Sequence, residues 1–145
     1  MKKYIWLGIL VLLVAIQFIR INKTNPTVDP QEDFLQLTSA DAEISSLIKD
    51  ACYDCHSHEV EYPWYTNIAP VSWWIKGHIN NGVKHLNFST WGTYEAGKMD
   101  HKLEECIEMV EKGEMPLKSF TWMHPEAKLT DNQREKLVSF FQSVR

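Results

Sequence analysis

The apolar positions of this chain form one continuous block at the start and several periodic stretches further along. Residues 4–21 are almost wholly apolar, with Gln17 as the only uncharged polar residue and no charge before Arg20. A block of this length approaches the roughly 20 apolar residues that cross about 30 Å of hydrocarbon. Because two lysines precede it and no small-residue cleavage site follows, a retained signal anchor is favoured over a cleaved signal peptide. Residues 1–21 are therefore predicted to form a transmembrane helix.

The rest of the chain has the pattern of helices joined by polar segments. Residues 22–33 contain two X-Pro pairs, which disfavour helix, and are predicted to be a linker. In the domain that follows, residues 34–145, apolar side chains recur at the spacing of one helix face, and none alternate with the period of two that is typical of strands. The predicted fold class is therefore all-α. The predicted helices begin at Thr38 or Ser39, Pro70, Asp100 and Thr130, and end near Ala51, Gly82, Gly113 and Val144. The stretch between the second and third helices, residues 83–98, has no sustained period and is predicted to be irregular.

The length and charge of the chain narrow the classes of function. The chain has 145 residues, so a single domain remains once the apolar block and the linker are set aside. The formal net charge is -4, and the lysines and arginines are scattered along the sequence. Because binding to a phosphate backbone depends on clustered positive charge, nucleic-acid binding is not expected.

Candidate chemistry is concentrated in residues 52–56, which read Cys-Tyr-Asp-Cys-His. This C-x-x-C-H spacing is the attachment signal of c-type haem. Two thiols three residues apart at the end of a helix can each add to one vinyl group, and the adjoining histidine is then carried beneath the iron. Cys52 and Cys55 are therefore predicted to bind haem c covalently, and His56 to be an axial ligand of its iron.

The second ring nitrogen of His56 is also expected to have a partner. A histidine that ligates a metal almost always donates its other N–H to a carboxylate, a backbone carbonyl or water. The predicted acceptor is a backbone carbonyl within residues 68–70, with the carbonyl of Pro63 as the competing candidate.

Other chemistries also use a C-x-x-C pair. A thioredoxin-like pair requires a strand-to-helix junction, which an all-α pattern does not provide. A structural zinc site needs four ligands, and the sequence has no second pair at ligand spacing. A disulfide between Cys52 and Cys55 remains as an alternative in an exported protein. Cys106 lies on the apolar face of a predicted helix and is interpreted as a small buried apolar residue.

The order of the elements resembles that of class I cytochromes c. A helix, the attachment motif, an irregular stretch, Met115-Pro116 and a terminal helix follow one another along the chain. In that family a methionine from the loop before the last helix supplies the sixth iron ligand, so the resemblance implies this role for Met115. Four other side chains compete for the position: Met99, Met123, His78 and His124.

A narrower resemblance rests on several motifs taken together. These are Cys52 to Ser57, Tyr62-Pro63-Trp64-Tyr65, Asn67-Ile68-Ala69-Pro70-Val71-Ser72-Trp73-Trp74, His85-Leu86-Asn87-Phe88, Gly113-Glu114-Met115-Pro116-Leu117 and His124-Pro125. Over residues 34–145 they resemble the small haem-binding domain family of bacterial envelope proteins. The resemblance implies a cytochrome c-like fold, a haem c cofactor and redox work with partner proteins of the cell envelope. Because c-type haem is attached outside the cytoplasmic membrane, it also implies a single-pass protein whose haem domain faces the periplasm.

Three functions are compatible with these residues. The first is electron transfer, in which iron held by His56 and a sulfur ligand changes oxidation state with little rearrangement. The second is a sensor of small ligands or a peroxidase-like accessory domain, because the distal pocket decides between these outcomes. Four histidines are available as distal groups for it: His78, His85, His101 and His124. The third is an envelope protein that uses Cys52 and Cys55 for thiol or metal chemistry without haem.

Overall fold

Helices make up the regular structure of the domain. The computed structural model describes residues 2–145, and this part of the chain contains no strand, which confirms the predicted all-α fold class. The helices are α1 (Lys2–Ala15), α2 (Phe34–Leu37), α3 (Ala42–Ile48), α4 (Asp54–His56), α5 (Val71–His85), α6 (Ala96–Glu111), α7 (Lys118–Thr121) and α8 (Asp131–Ser143). Single-turn and short 3₁₀ helices lie at Ile16–Phe18, Pro30–Glu32, Trp64–Asn67, Phe88–Thr93 and Pro125–Ala127.

Aromatic side chains occupy the centre of the domain. The ring of Phe34, which is fully buried, has its centroid 5.0 Å from that of Phe88 and 4.9 Å from that of Trp91. Tyr53 stacks on Phe88 with 5.5 Å between ring centroids, and Phe141 of α8 completes the cluster. Full burial of side chains of this size contributes about 1.5–3 kcal/mol each. The core therefore joins residues from the start, the middle and the end of the domain.

Helix α3, which leads to the C-x-x-C-H motif, begins later than predicted. Residues Thr38 and Ser39 do not cap it, because Thr38 ends α2 and Ser39 lies in a left-handed conformation with φ of 51°. Asp41 is the cap instead, and its carboxylate accepts the N–H of Ile44 at 2.8 Å. Thr, Ser and Asp are all favoured at the N-cap, so residue type alone does not distinguish Asp41 from the two predicted caps.

The middle of the domain is more regular than predicted. Helix α5 continues past Gly82 to His85, a 3₁₀ helix follows at Phe88–Thr93, and α6 begins at Ala96 rather than at Asp100. The prediction that residues 83–98 are irregular is therefore wrong. A glycine inside a helical pattern indicates an end of the helix only where its backbone turns, and Gly82 is helical.

The C-terminal end of α6 and the start of α8 agree with the sequence pattern. Gly113 follows α6 with φ of +68°, a conformation that a residue without a side chain adopts at low cost. At the start of α8 the hydroxyl of Thr130 accepts the N–H of Gln133, and the Gln133 side chain accepts the N–H of Thr130. The predicted capping box is therefore confirmed.

The N-terminal block forms a shorter helix than predicted. Helix α1 has 14 residues, or about 21 Å at 1.5 Å per residue, and it gives way to a 3₁₀ turn at Ile16–Phe18. Among residues 2–145 no helix has both the length and the apolar character needed to cross a membrane. The predicted transmembrane helix over residues 1–21 is thus not supported. The prediction rested on the number of consecutive apolar residues. That number does not show where the α-helix ends.

The side chain of Gln17, in the 3₁₀ turn after α1, is hydrogen-bonded to the domain. Its amide donates to the carbonyl of Ala69 and accepts the N–H of Ala69, both at 2.9 Å. Two residues further on, the carbonyl of Ile19 accepts the indole N–H of Trp73 at 3.0 Å. These contacts fix the segment after α1 against the start of α5.

Candidate functional site

The C-x-x-C-H motif lies at the end of one continuous helical run. Helix α3 passes into a π-helical turn at Lys49–Tyr53, and α4 continues from there to His56. Single π turns inside helices are rare and occur frequently at functional sites. Here the wider turn contains Cys52, so the two cysteines of the motif lie on either side of the return to α-helical geometry.

Tyr53, the residue after the first cysteine, attaches the motif to the core. It is buried, it stacks on Phe88, and its hydroxyl donates to the Asp33 carboxylate at 2.9 Å. Burial, followed by the charge of Asp33, raises the pKa of the Tyr53 phenol far above its usual value. The tyrosine therefore remains protonated and keeps donating to Asp33.

Gly82 of α5 allows the backbone of α4 to approach closely. A Cβ placed on Gly82 would lie 2.2 Å from the carbonyl oxygen of Cys55 and 3.3 Å from its Cβ. A glycine is therefore required where α5 crosses the motif. The sequence pattern interpreted this glycine as a helix stop, and nothing in the pattern distinguished that role from a packing role.

The same contact orients His56. Its Nδ1 lies 3.1 Å from the carbonyl oxygen of Gly82 and 3.2 Å from that of Leu86. Because a carbonyl only accepts, Nδ1 carries the proton and donates to both, which leaves the lone pair on Nε2. The predicted type of partner, a backbone carbonyl, is confirmed. The predicted positions of that carbonyl, residues 68–70 or Pro63, are wrong. The C-terminal end of α5 reaches this nitrogen instead.

Burial lowers the pKa of His56, while its hydrogen bonds to Leu86 and Gly82 raise it by less. The imidazole is therefore neutral at pH 7. A neutral imidazole with a free Nε2 and a fixed Nδ1–H is the form in which histidine ligates metals.

An apolar cavity lies beside the second cysteine. It has a volume of about 190 Å³, and Cys55 is part of its wall. Helix α5 contributes Trp74, Ile75 and Ile79, and the segment around α7 contributes Leu117 and Phe120. Its lining, mainly apolar with a few polar side chains, is that of a small-molecule or cofactor site.

The three cysteines are free thiols in this structure, so the alternative of a Cys52–Cys55 disulfide is not observed. Burial raises the pKa of Cys55 to about 11 and that of Cys106 to about 12, and it raises the pKa of Cys52 further. Thiol exchange requires a thiolate, which enzymes obtain by lowering the thiol pKa. Here burial raises the pKa of all three thiols, which disfavours the thiolate form.

The candidates for the sixth iron ligand lie in different parts of the structure. His78 and Met123 line the cavity with Cys55, whereas Met115 does not, and Met99 packs against the aromatic core. His78 also resembles His56 in detail, because its Nδ1 lies 2.9 Å from a carbonyl oxygen, that of Trp74 in the preceding turn.

Met115 lies in a loop that α8 holds in place. The guanidinium of Arg134 donates to the carbonyl of Met115 at 3.3 Å and also to the carbonyl of Val110 at the end of α6. The N–H of Met115 donates to the carbonyl of Met109. The backbone of the predicted ligand is thus fixed, and its role stays a prediction.

A polar chain that the sequence pattern did not single out also reaches the cavity. The Nδ1 of His124 lies 3.0 Å from the Glu126 carboxylate, which only accepts, so this nitrogen carries the proton. The Tyr65 hydroxyl then donates to Nε2 of His124. Since Nε2 is already bonded, His124 is less suited than His78 to ligate iron. Of the remaining two histidines proposed as distal groups, neither His85 nor His101 lines the cavity.

A buried donor without a partner lies close to the motif. The Oδ1 of Asn87 accepts the N–H of Ser89, so its Nδ2 faces Nε2 of His58 at 2.9 Å and donates to it. The imidazole proton is therefore on Nδ1 of His58, which is buried and has no acceptor among residues 2–145. Such a donor, two residues after His56, fits a cofactor that carries carboxylate groups.

Comparison with known proteins agrees with this site. The chain matches the family model described as a haem-binding domain over residues 11–143, and it belongs to that family. No curated protein and no solved structure matches the chain. The chain is therefore a haem-binding protein with an all-α domain.

The residues present fit a haem. Cys55 lies in the wall of an apolar cavity, His56 is neutral with Nε2 free, and His58 offers an unused N–H.

No group of three or more His, Cys, Asp or Glu side chains that could hold a metal ion occurs within residues 2–145. The alternative of a structural zinc site therefore gains no support.

The Gly82 contact gives a direct prediction. Gly82→Ala should destabilise the protein by about 1–3 kcal/mol, because the new methyl group cannot fit against the Cys55 carbonyl without moving α5. It should also lower the amount of haem bound, since the same movement displaces two acceptors of His56. Urea denaturation and the haem-to-protein absorbance ratio measure the two effects.

Gly77 of the same helix is the matched control. A Cβ there would meet no atom within 4 Å, so Gly77→Ala should stabilise the protein by about 0.5–1 kcal/mol through helix propensity. If Gly82→Ala were as stable as Gly77→Ala and bound as much haem, the close approach of α4 and α5 would not matter for the site.

Proposed function

We propose that this chain is an electron-transfer protein of the class I cytochrome c type, with haem c bound covalently through Cys52 and Cys55. His56 is the fifth iron ligand and Met115 the sixth. The observation that carries the proposal is the state of His56, the residue after Cys55, whose Nδ1–H is held by two backbone carbonyls so that the lone pair is left on Nε2. The membership of the chain in the haem-binding family supports haem as the cofactor.

The bound haem would supply a one-electron couple between Fe(II) and Fe(III). The residues around the bound haem would contribute in two ways. The backbone of α5 keeps the His56 ring in one tautomer and one orientation, so little rearranges when the charge of the site changes. Trp74 and Phe120 contribute large apolar surfaces to the cavity wall, and the apolar shell around a metal site influences its potential.

The location follows from the chemistry of attachment. Since haem c is attached outside the cytoplasmic membrane, the domain is proposed to face the periplasm and to exchange electrons with partner proteins of the envelope. Helix α1 is proposed to hold it at the membrane.

A second candidate function has an observation in its favour. The hydrogen-bonded chain of Tyr65, His124 and Glu126 ends at the cavity wall, and polar groups in the distal pocket of a haem favour binding of small ligands or peroxidase-like chemistry. This candidate requires an iron with an open or labile sixth position.

Covalent attachment is tested with the cysteines in a strain that matures c-type cytochromes. Cys52→Ala and Cys55→Ala should each leave one thioether, with a shifted band in the pyridine haemochrome spectrum, and the double variant should lose haem staining on a denaturing gel. Cys106→Ala is the control and should keep both thioethers, because its thiol is outside the motif. Full haem staining of the double variant would contradict the proposal.

The sixth ligand is tested with carbon monoxide, which binds readily only to an open or labile iron. The reduced wild type should bind it poorly, and Met115→Ala should bind it readily and lose the weak long-wavelength sulfur-to-iron band of the oxidised spectrum. Met123→Ala and His78→Ala are the controls and should behave like the wild type. If one of them opened the iron while Met115→Ala did not, that residue would be the ligand. Ready binding by the wild type would support the second candidate function.

A further inference from the structure

The acidic residues of the chain are absent from two segments that touch each other. All 19 aspartates and glutamates fall within residues 29–61 and 95–145, so that residues 1–28 and 62–94 contain none. The second segment nevertheless contains two lysines and the first contains four basic residues. In a chain with a net charge of -4, these two segments contribute basic side chains and no acidic ones, and the acidic residues at the cavity, Asp54 and Glu61, come from outside them.

Hydrogen bonds join the two acid-free segments. Gln17 is bonded twice to Ala69, and the basic side chains of Arg20 and Lys23 both reach Asn67, with 2.7 Å between Lys23 Nζ and Asn67 Oδ1. The segment that follows α1 is thus bonded to the domain at several points. The position of α1 relative to the cavity is fixed by these contacts rather than by a free linker.

Helix α1 is apolar on all sides and is exposed on all sides. The side chains from Tyr4 to Val14 leave between 42% and 73% of their large apolar surfaces exposed. A helix of this composition is found in a protein core or in a membrane, and no part of the domain covers it.

Exposed apolar side chains continue from the base of α1 to the mouth of the cavity. Trp64 is 70% exposed and Ile68 is 44% exposed. Ile68 lies between the residues that bind Lys23 and Gln17, and the carbonyl of Trp64 accepts the side-chain amide of Asn67. Val71 and Trp74 are also exposed, and they are part of the cavity wall. We call these four residues the rim. Tryptophan is enriched where a protein meets the boundary between lipid and water.

We propose that the rim and α1 form one membrane-contact surface, so that the mouth of the cavity opens at the surface of an anionic lipid bilayer. The partner is identified by its chemistry. A bilayer offers an apolar phase for α1 and the rim, and its anionic headgroups attract Arg20, Lys23 and Lys76. This inference rests on the proposed attachment of α1 to a membrane, and it adds the orientation of the domain.

The orientation is tested with the full-length holoprotein in vesicles of phosphatidylethanolamine and phosphatidylglycerol that contain a photoactivatable phospholipid. Peptide mapping after illumination should find label in two places, within residues 4–19 and within residues 64–74. Label within residues 4–19 alone would overturn the inference but keep the proposed attachment. Absence of label from both segments would overturn the attachment and the inference together.

Substitutions on the rim make the test specific. Trp64→Glu combined with Ile68→Glu adds negative charge to the surface at two positions that do not themselves line the cavity, although the Trp64 ring lies edge-on to that of Tyr65, which does. This variant should lower labelling within residues 64–74 several-fold and leave labelling within residues 4–19 and the haem content unchanged. Leu37→Glu is the matched control, because Leu37 is exposed to a similar extent, 50%, but lies on α2. Equal labelling of the rim in both variants would overturn the inference.

Discussion

The close contact between Gly82 and the backbone of Cys55 is the constraint on which the site depends. It brings the end of α5 against α4, and in doing so it places two carbonyls, those of Gly82 and Leu86, within hydrogen-bond distance of His56. The tautomer of His56 follows from that contact. Tyr53 acts from the other end of the motif, because it ties α4 to the aromatic core through Phe88 and Asp33. The motif is therefore fixed on both sides, which is a condition for holding a metal ligand in one geometry.

The periodic pattern of the sequence predicted the all-α class, the Gly113 stop and the capping box of α8, because each depends on residues close in the chain. It failed where a distant contact decides the outcome. Gly82 lies inside a helix, where its close contact with Cys55 requires a glycine, and Gln17, near the end of the first helix, is bonded to Ala69. The short C-x-x-C-H motif marked the candidate site, but its acceptors at Gly82 and Leu86 lie 26 and 30 residues further on and could not be found by spacing.

The cavity connects the site with the surface of the protein. Its wall includes Cys55 of the motif, and it also includes Val71 and Trp74, which are exposed next to the segment that follows α1. Electron transfer depends on a short path between the cofactor and a partner. In the proposed orientation, a cavity that opens beside the exposed apolar side chains of Val71 and Trp74 would place that path near a lipid boundary.

The central claim is that the two cysteines of the motif are bonded to haem in the mature protein. The direct measurement is the intact mass of the full-length protein, matured in a strain competent for c-type cytochromes, then denatured and alkylated. The account predicts one haem and one alkyl group per chain, because Cys106 is the remaining thiol. A mass with three alkyl groups and no haem would contradict it.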